Sequence, residues 1–183
     1  MNEAGFVKLF WGFIFIMLGF RIQGVDILPN IVGYLLFASA FKDLDISSTY
    51  FSSASKYNIP MIILSIFSIY QSPVQGQGLQ LGPLGLFIIP IAIGTFVLNL
   101  LVIYNLFMGI KDMAKKREQP DLVDDADSRW NQYKTLQIAS LFSFILIFIP
   151  VIGVFYIIGL FIVSIIITVG ILGFLKRCSK TLN

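Results

Sequence analysis

Residues 21–34 read RIQGVDILPNIVGY and lie between the first two apolar runs of the chain. Gly24 is suited to a turn, and Pro29 is suited to the first turn of a helix. We therefore interpret this segment as the tip of a helical hairpin. Its two charged residues, Arg21 and Asp26, are the only charges that the interpretation below places on the outer side of a membrane.

The composition is typical of a membrane protein. Of the 183 residues, 57% are hydrophobic and 13% are charged, and the mean hydropathy is +0.86. A soluble globular domain is usually about 45–50% apolar and about 25% charged. The longest polar stretch, residues 111–134, is too short for a separate soluble domain. The sequence therefore predicts a single transmembrane domain over residues 1–183.

Six apolar segments have lengths near the roughly 20 residues that a helix needs to cross a bilayer. They cover residues 6–22, 27–41, 58–70, 85–110, 135–149 and 152–175. The first two are short, and either an extra turn in the headgroups or a thinner local bilayer would accommodate them. We interpret the serine-rich residues 44–57 as an interfacial helix or a polar linker. Residues 71–80 are expected to form an uncharged Gln/Gly/Pro loop, and residues 111–134 a charged cytoplasmic loop.

The basic residues predict the orientation in the membrane. With both termini in the cytoplasm, twelve of the thirteen Lys and Arg residues fall on the cytoplasmic side, and only Arg21 falls outside. Cytoplasmic loops of membrane proteins carry such an excess of Lys and Arg. The expected fold class is an all-α integral membrane protein with six transmembrane helices in three consecutive hairpins. Its N- and C-termini are expected to be cytoplasmic.

A weak internal repetition accompanies the three hairpins. Each hairpin has a proline and a glycine close together near its outer side: Pro29/Gly33, Pro90/Gly94 and Pro150/Gly153. These pairs indicate either a threefold hairpin repeat or simply the outer ends of helices, since proline and glycine are frequent in membrane helices.

The sequence lacks the residues of the common catalytic centres. It has no histidine and only one cysteine, Cys178, which excludes Ser–His dyads, HExxH zinc sites and CxxC redox pairs. The predicted spans contain no acidic pair. We therefore expect a protein that is not an enzyme and has no cofactor or metal, with an enzyme acting on lipids as a weaker alternative. The aspartates of residues 121–127 could bind a divalent cation, but a solvated acidic loop explains them as well.

Two groups of polar residues are candidate sites. Arg21 and Asp26 form either an outer-mouth pair that contacts a polar ligand or partner, or a pair that closes the hairpin turn. The second group consists of neutral side chains on the fourth and fifth spans: Asn99, Tyr104, Asn105, Gln137 and Ser140. They either line a cavity for a small neutral solute or bond the helices together. The predicted spans carry no charge near mid-depth, which argues against a proton- or ion-driven pump.

Residues 24–34, GVDILPNIVGY, resemble a pattern near the first turn of uncharacterised small polytopic membrane proteins of Gram-positive bacteria. The resemblance covers residues 1–45 and implies a bacterial plasma membrane, but no activity. In size and topology alone, the chain is also similar to the substrate-binding subunits of energy-coupling-factor transporters.

The expected function is therefore a non-catalytic role in contact with the lipid bilayer and with another membrane protein, a lipid or a second copy of the chain. Accessory, immunity and assembly roles all fit this expectation. The alternative is a small-solute binding or transport component. A nucleic-acid partner is not expected, because the basic residues cluster beside apolar segments.

Overall fold

The computed structural model describes residues 2–17, 21–22, 25–26, 30–68, 85–146 and 148–182. These residues form six α-helices: α1 (Asn2–Met17), α2 (Asn30–Leu44), α3 (Thr49–Ser68), α4 (Gly85–Lys116), α5 (Pro120–Leu146) and α6 (Pro150–Thr181). Between α1 and α2, the two-residue strands β1 (Arg21–Ile22) and β2 (Val25–Asp26) pair antiparallel. The predicted all-helical class with six helices is thus confirmed.

The helices form a closed ring. Each helix packs against the next one along the chain, and α6 returns to pack against α1. The two ends of the chain meet at this closure, where the Asn2 side-chain amide donates to the carbonyl oxygen of Leu182 at 3.0 Å. Neighbouring helices in the ring run antiparallel, as expected for consecutive hairpins.

Large aromatic side chains fill the centre of the ring. The ring of Phe13 on α1 lies 5.5 Å from that of Phe37 on α2, 6.3 Å from that of Phe107 on α4 and 6.4 Å from that of Tyr133 on α5, measured between centroids. Phe107 in turn lies 6.1 Å from Phe174 on α6. All five side chains are fully buried. Tilted and edge-on ring pairs at these distances are favourable, so this cluster joins five of the six helices.

The two ends of the bundle differ in chemistry. Both termini, the connection between α2 and α3 and the turn between α4 and α5 meet at one end, which we call the charged end. The other end, which we call the apolar end, contains the last turns of α5 and the first turns of α6. Large side chains are exposed there, such as Phe148 (83% exposed), Phe155 (73%) and Val151 (70%).

Helix α3 begins earlier than the apolar segment predicted. Its N-cap is Ser48, whose hydroxyl oxygen accepts from the backbone N–H of Tyr50 at 3.4 Å. Serine is favoured at this position because it satisfies an N–H that the helix leaves unpaired. Residues 44–57 are therefore helical from Thr49 onward, in agreement with the helix alternative, and Pro60 lies inside α3.

The charged residues 111–134 are mostly helical, which corrects the expected loop. Helix α4 continues to Lys116, and α5 begins at Pro120. An ion pair between Lys116 and Asp112 (2.8 Å) spans one turn of α4. A second pair, between Lys111 and Asp127 (2.6 Å), joins α4 to α5. Hydropathy cannot detect these helical turns, because their stability comes from ion pairs and caps.

The tight turn between α4 and α5 is a Schellman motif. The N–H of Gln119 donates to the carbonyl of Ala114 (2.9 Å), and the N–H of Glu118 donates to that of Lys115 (3.1 Å). The motif requires a left-handed residue, usually glycine, and here Glu118 takes this role with φ of 54°.

We expect Glu118→Gly to stabilise the protein by about 1 kcal/mol, because glycine adopts positive φ without the Cβ penalty of other residues. Thermal unfolding in detergent, followed by circular dichroism, measures this gain. Gln119→Gly is the matched control and should not stabilise. Equal effects of the two substitutions would contradict a specific relief of strain at Glu118.

Two of the described helices are long and apolar enough to cross a membrane, over Pro90–Lys116 and Val151–Thr181. Only 28% and 17% of their most apolar stretches are buried, whereas the core helix of a soluble protein is mostly buried. Neither lies at the N-terminus, where a signal sequence would be. These two helices indicate association with a membrane. Helices α1 and α2 have only 16 and 15 residues, fewer than a span usually needs.

Two further predictions from the sequence, the loop over residues 71–80 and the threefold repeat, can be compared with the structure only in part. The predicted loop over residues 71–80 lies outside the described residues, as does Pro29 of the first proline–glycine pair. Gly33 and Gly94, which would be equivalent in a threefold repeat, have different surroundings. A Cβ atom at Gly33 would contact α1, whereas one at Gly94 would meet nothing within 4 Å. The two glycines therefore play different packing roles.

Candidate functional site

A buried polar cluster joins α4 to α5, and Tyr133 is its centre. The hydroxyl oxygen of Tyr133 accepts from the Asn99 side-chain amide at 2.9 Å and from the Gln137 side-chain amide at 2.8 Å. Tyr133 itself is fully buried. The hydroxyl is neutral at physiological pH, since a tyrosine phenol ordinarily titrates at about pH 10, and it acts as a hydrogen-bonding group.

The five neutral residues predicted to line a cavity do not all meet. Asn99 and Gln137 share the Tyr133 hydroxyl, but the other three have separate contacts. Asn105 donates to the carbonyl of Leu101 (2.7 Å), and Ser140 donates to that of Gln137 (2.7 Å), each within its own helix. The ring of Tyr104 lies edge-on to that of Trp130, with 5.2 Å between centroids.

One atom of the cluster retains unused bonding capacity. The Oδ1 atom of Asn99 is buried and has no hydrogen-bond partner in the part of the chain that the structure describes. An unpaired buried acceptor costs about 1–3 kcal/mol unless a donor reaches it. The cluster can therefore hold α4 and α5 in register, and it offers one acceptor to a small donor group.

We expect Tyr133→Phe to destabilise the protein by roughly 1 kcal/mol, because it removes one hydrogen bond between α4 and α5 and one within α5. Side-chain hydrogen bonds in membrane proteins are worth about 0.6 kcal/mol each. Unfolding by sodium dodecyl sulfate in mixed micelles measures the change. Tyr104→Phe is the matched control, since the Tyr104 side chain is 37% exposed and its ring contact with Trp130 would remain. A Tyr133→Phe protein as stable as this control would show that the two hydrogen bonds contribute nothing.

Arg21 and Asp26 are brought opposite each other by the short strand pair. They are direct partners in its register, as are Ile22 and Val25. This register agrees with the interpretation in which the two residues close the hairpin turn. Their side chains lie outside what the structure describes, so their role as an outer-mouth pair stays a prediction.

The charged end is cross-linked by ion pairs between helices. Lys8 on α1 pairs with Asp43 on α2 (2.6 Å), and Arg177 on α6 pairs with Asp125 on α5. Lys111 on α4 also pairs with Asp127 on α5. Two of the four aspartates of residues 121–127, Asp125 and Asp127, are therefore used in ion pairs between helices. Over residues 2–17, 30–68, 85–146 and 148–182, no group of three or more potential metal-ligating side chains occurs.

Sequence reasoning missed two residues of interest. Tyr133 is not among the polar residues selected from the sequence, although its spacing from Gln137 (four residues) predicts contact along one helix face. Arg129 gave no signal in the sequence, because its importance depends on a neighbour on another helix. Its guanidinium lies against Gly170 of α6, where an added Cβ would come within 2.5 Å of Nη1.

Comparisons with known proteins do not add to this description. No protein-family model, no curated protein and no solved structure matches the chain. The resemblance of residues 1–45 to small membrane proteins of Gram-positive bacteria therefore stays a prediction, and the proposals below depend on the chemistry of the chain alone.

Proposed function

We propose that the chain is a six-span protein of a bacterial plasma membrane that binds another membrane component without catalysing a reaction. The observation that supports this proposal best is the exposed apolar surface of α6. Most of its large apolar side chains are exposed over Val151–Val169, and a helix that is apolar all round belongs in a membrane or a large protein core. Soluble monomers rarely expose contiguous apolar patches of more than a few hundred Å².

The separation of charge from apolar surface supports the proposed orientation. The ion pairs lie at the charged end, where both termini and the turn between α4 and α5 meet. In the proposed topology this end faces the cytoplasm, in accord with the distribution of Lys and Arg. Helices α1 and α2 would cross with their ends in the headgroup layers, since shorter spans are accommodated by local thinning of the bilayer.

Cysteine labelling tests this topology. In a Cys178→Ala background, we expect Arg21→Cys and Asp26→Cys to react with a membrane-impermeant maleimide in intact cells. Lys115→Cys is the control at the charged end, and its label should appear only after permeabilisation. Labelling of Arg21→Cys only after permeabilisation would overturn the six-span topology.

The proposed role as a binding component is supported by what the bundle lacks and by what it exposes. The chain has no histidine and one cysteine, and the described polar cluster contains neutral amides and a phenol rather than acids or bases. The apolar end presents broad helix surfaces that a partner protein, a second copy or lipid could cover. An accessory, immunity or assembly function would use such a surface.

Copurification from native membranes tests the binding role. We expect the chain extracted in mild detergent to retain another protein or a lipid in a fixed ratio, as measured by mass spectrometry. Elution as an isolated chain with a bound small solute would overturn the proposal.

A second candidate function, binding or transport of a small neutral solute, is favoured by the unpaired Oδ1 atom of Asn99. A solute with an N–H or O–H group would satisfy this acceptor. Asn99→Leu should then abolish solute retention, while Thr95→Val, one turn away on α4, should not. Retention that is equal in both variants would exclude this site.

A further inference from the structure

An amphipathic groove runs between α5 and α6. It has a volume of about 460 Å³, within the usual range for ligand sites of about 300–1,000 Å³. Its lining near the charged end is polar, with Ser128, Asn131, Gln132 and Thr135. The rest of its lining is apolar, with Ile167 near the polar residues and Leu136, Ala139, Leu160 and Val163 towards the apolar end.

Arg129 does not line the groove itself but lies next to its polar end, between Ser128 and Gln132 of the lining. Its Nη1 atom donates to the side-chain oxygen of Gln132 at 2.9 Å, and Gln132 is itself part of the lining. The guanidinium lies against Gly170, one turn of α6 beyond Ile167 of the lining. The absence of a side chain at Gly170 allows this close approach.

Arg129 forms no ion pair with the residues that the structure describes. Two acidic side chains near it on α5, Asp125 and Asp127, pair with Arg177 and Lys111 instead. The Nε atom of Arg129 is buried and has no hydrogen-bond partner in the described ranges. A partly buried guanidinium without a counter-charge is costly, and a phosphate group satisfies it with strong charge-assisted bonds.

The groove is about as long as one leaflet of a bilayer is thick. From Ser128 to Ala139, α5 rises by about 17 Å at 1.5 Å per residue. Half of a hydrocarbon core of about 30 Å is about 15 Å. The Tyr156 hydroxyl donates to the carbonyl of Ala139 (2.8 Å) and marks the far end of the groove. Trp130 lies beside the polar end, at the depth where interfacial aromatic residues are common.

We propose that this groove binds one anionic phospholipid, with its phosphate at Arg129, Gln132 and Asn131 and an acyl chain along Leu136, Val163 and Leu160. The inference rests on the proposed function, because it requires that the charged end lies at a membrane surface. It names the class of membrane component that the chain binds. Charge complementarity selects an anionic lipid over a zwitterionic one, since only the anionic lipid brings a net charge to the unpaired guanidinium.

Native mass spectrometry of the full chain in detergent, titrated with dioleoyl-phosphatidylglycerol or dioleoyl-phosphatidylcholine, tests the proposal. We expect one phosphatidylglycerol to bind per chain in a saturable manner. Arg129→Gln should weaken this binding about tenfold or more, because a charge-assisted bond is lost. Lys180→Gln, which removes one positive charge at the same end outside the groove, should leave the binding unchanged.

A second pair of variants tests the acyl half of the groove without changing charge. Val163→Trp should fill it and reduce phosphatidylglycerol binding, whereas Val169→Trp, at an exposed position outside the lining, should not. Both positions are at least 45% exposed, so neither substitution disturbs the packed core. These variants keep the test decisive if Arg129→Gln fails to fold.

Two results would overturn the inference. One is equal binding of the two lipids by the unaltered chain, and the other is phosphatidylglycerol binding that neither Arg129→Gln nor Val163→Trp weakens. Both results would leave the membrane proposal standing. Failure of the proposed function is seen separately, as a chain that stays in aqueous solution without detergent and does not enter phosphatidylglycerol vesicles.

Discussion

Replacing Phe13 with alanine is expected to lower the free energy of unfolding in a lipid or micelle environment by about 2–3 kcal/mol. The side chain is fully buried and contacts the rings of Phe37, Phe107 and Tyr133. Lipid tails are as apolar as this core, so the transfer of the side chain contributes little in a membrane. The substitution leaves a cavity of roughly 100 Å³ where the ring was. At about 24 cal/mol per Å³, this cavity costs about 2.4 kcal/mol.

Reversible unfolding by sodium dodecyl sulfate in mixed micelles, followed by far-ultraviolet circular dichroism, measures this loss. Phe155→Ala is the matched control, because it removes the same atoms from a side chain that is 73% exposed. We expect the control to lie within about 0.5 kcal/mol of the unaltered chain. A Phe13→Ala loss no larger than that of the control would contradict the buried aromatic centre.

The helices could be predicted from the sequence where they are apolar, but not where they extend into polar surroundings. The six apolar segments each correspond to one described helix, and Pro120 and Pro150 stand at helix starts, where proline is favoured. The first turns of α3 were predicted only as one of two alternatives, an interfacial helix or a polar linker, and residues 111–134 were predicted as a loop although most of them are helical. Hydropathy measures preference for lipid, whereas these turns depend on the Ser48 cap and on ion pairs such as Lys111–Asp127.

The sequence predicted the types of residue in the candidate site but not the contacts between them. Asn99 and Gln137 were identified as neutral polar residues on adjacent helices, but their shared partner, Tyr133, was not. The contact between Asn99 and Tyr133 depends on how far α4 slides along α5, and that register is set by side-chain packing across the whole interface. The same limit applies to Arg129, whose position against Gly170 depends on the register of α5 on α6.

The distribution of packing within the bundle is consistent with both proposals. The fully buried aromatic side chains lie at the centre of the bundle, whereas many large apolar side chains in the first turns of α6 and the last turns of α5 are exposed. A partner or lipid that covers these turns would bind to helices that are already packed together elsewhere in the bundle, which reduces the entropy that binding costs.

The second large effect is expected at the crossing of α1 and α2, where two glycines bring the helix backbones into contact. A Cβ atom at Gly33 would lie 2.9 Å from the carbonyl oxygen of Gly12 and 2.6 Å from Cγ1 of Ile16. A Cβ atom at Gly12 would lie 3.1 Å from the carbonyl oxygen of Gly33. Small residues at such crossings let helices in membranes approach closely and gain van der Waals contact.

Gly33→Ala should therefore destabilise the protein by about 1–3 kcal/mol, the usual cost of overpacking, because backbone atoms cannot move aside as a side chain can. The same unfolding measurement applies. Gly159→Ala on α6 is the matched control, since its Cβ meets nothing within 4 Å and alanine is the better helix former by up to about 1 kcal/mol. The two substitutions are thus expected to change stability in opposite directions.

A double variant separates the contact with Ile16 from the other two contacts at Gly33. Ile16→Ala removes the nearest side-chain atom but leaves the carbonyl oxygen of Gly12 and the Cβ atom of Phe15 (3.2 Å) in place. If the backbone contact dominates, Ile16→Ala will not restore the stability of Gly33→Ala. Full recovery in the double variant would show that the helices are held apart by Ile16 alone, and that the two backbones do not meet at the crossing as described.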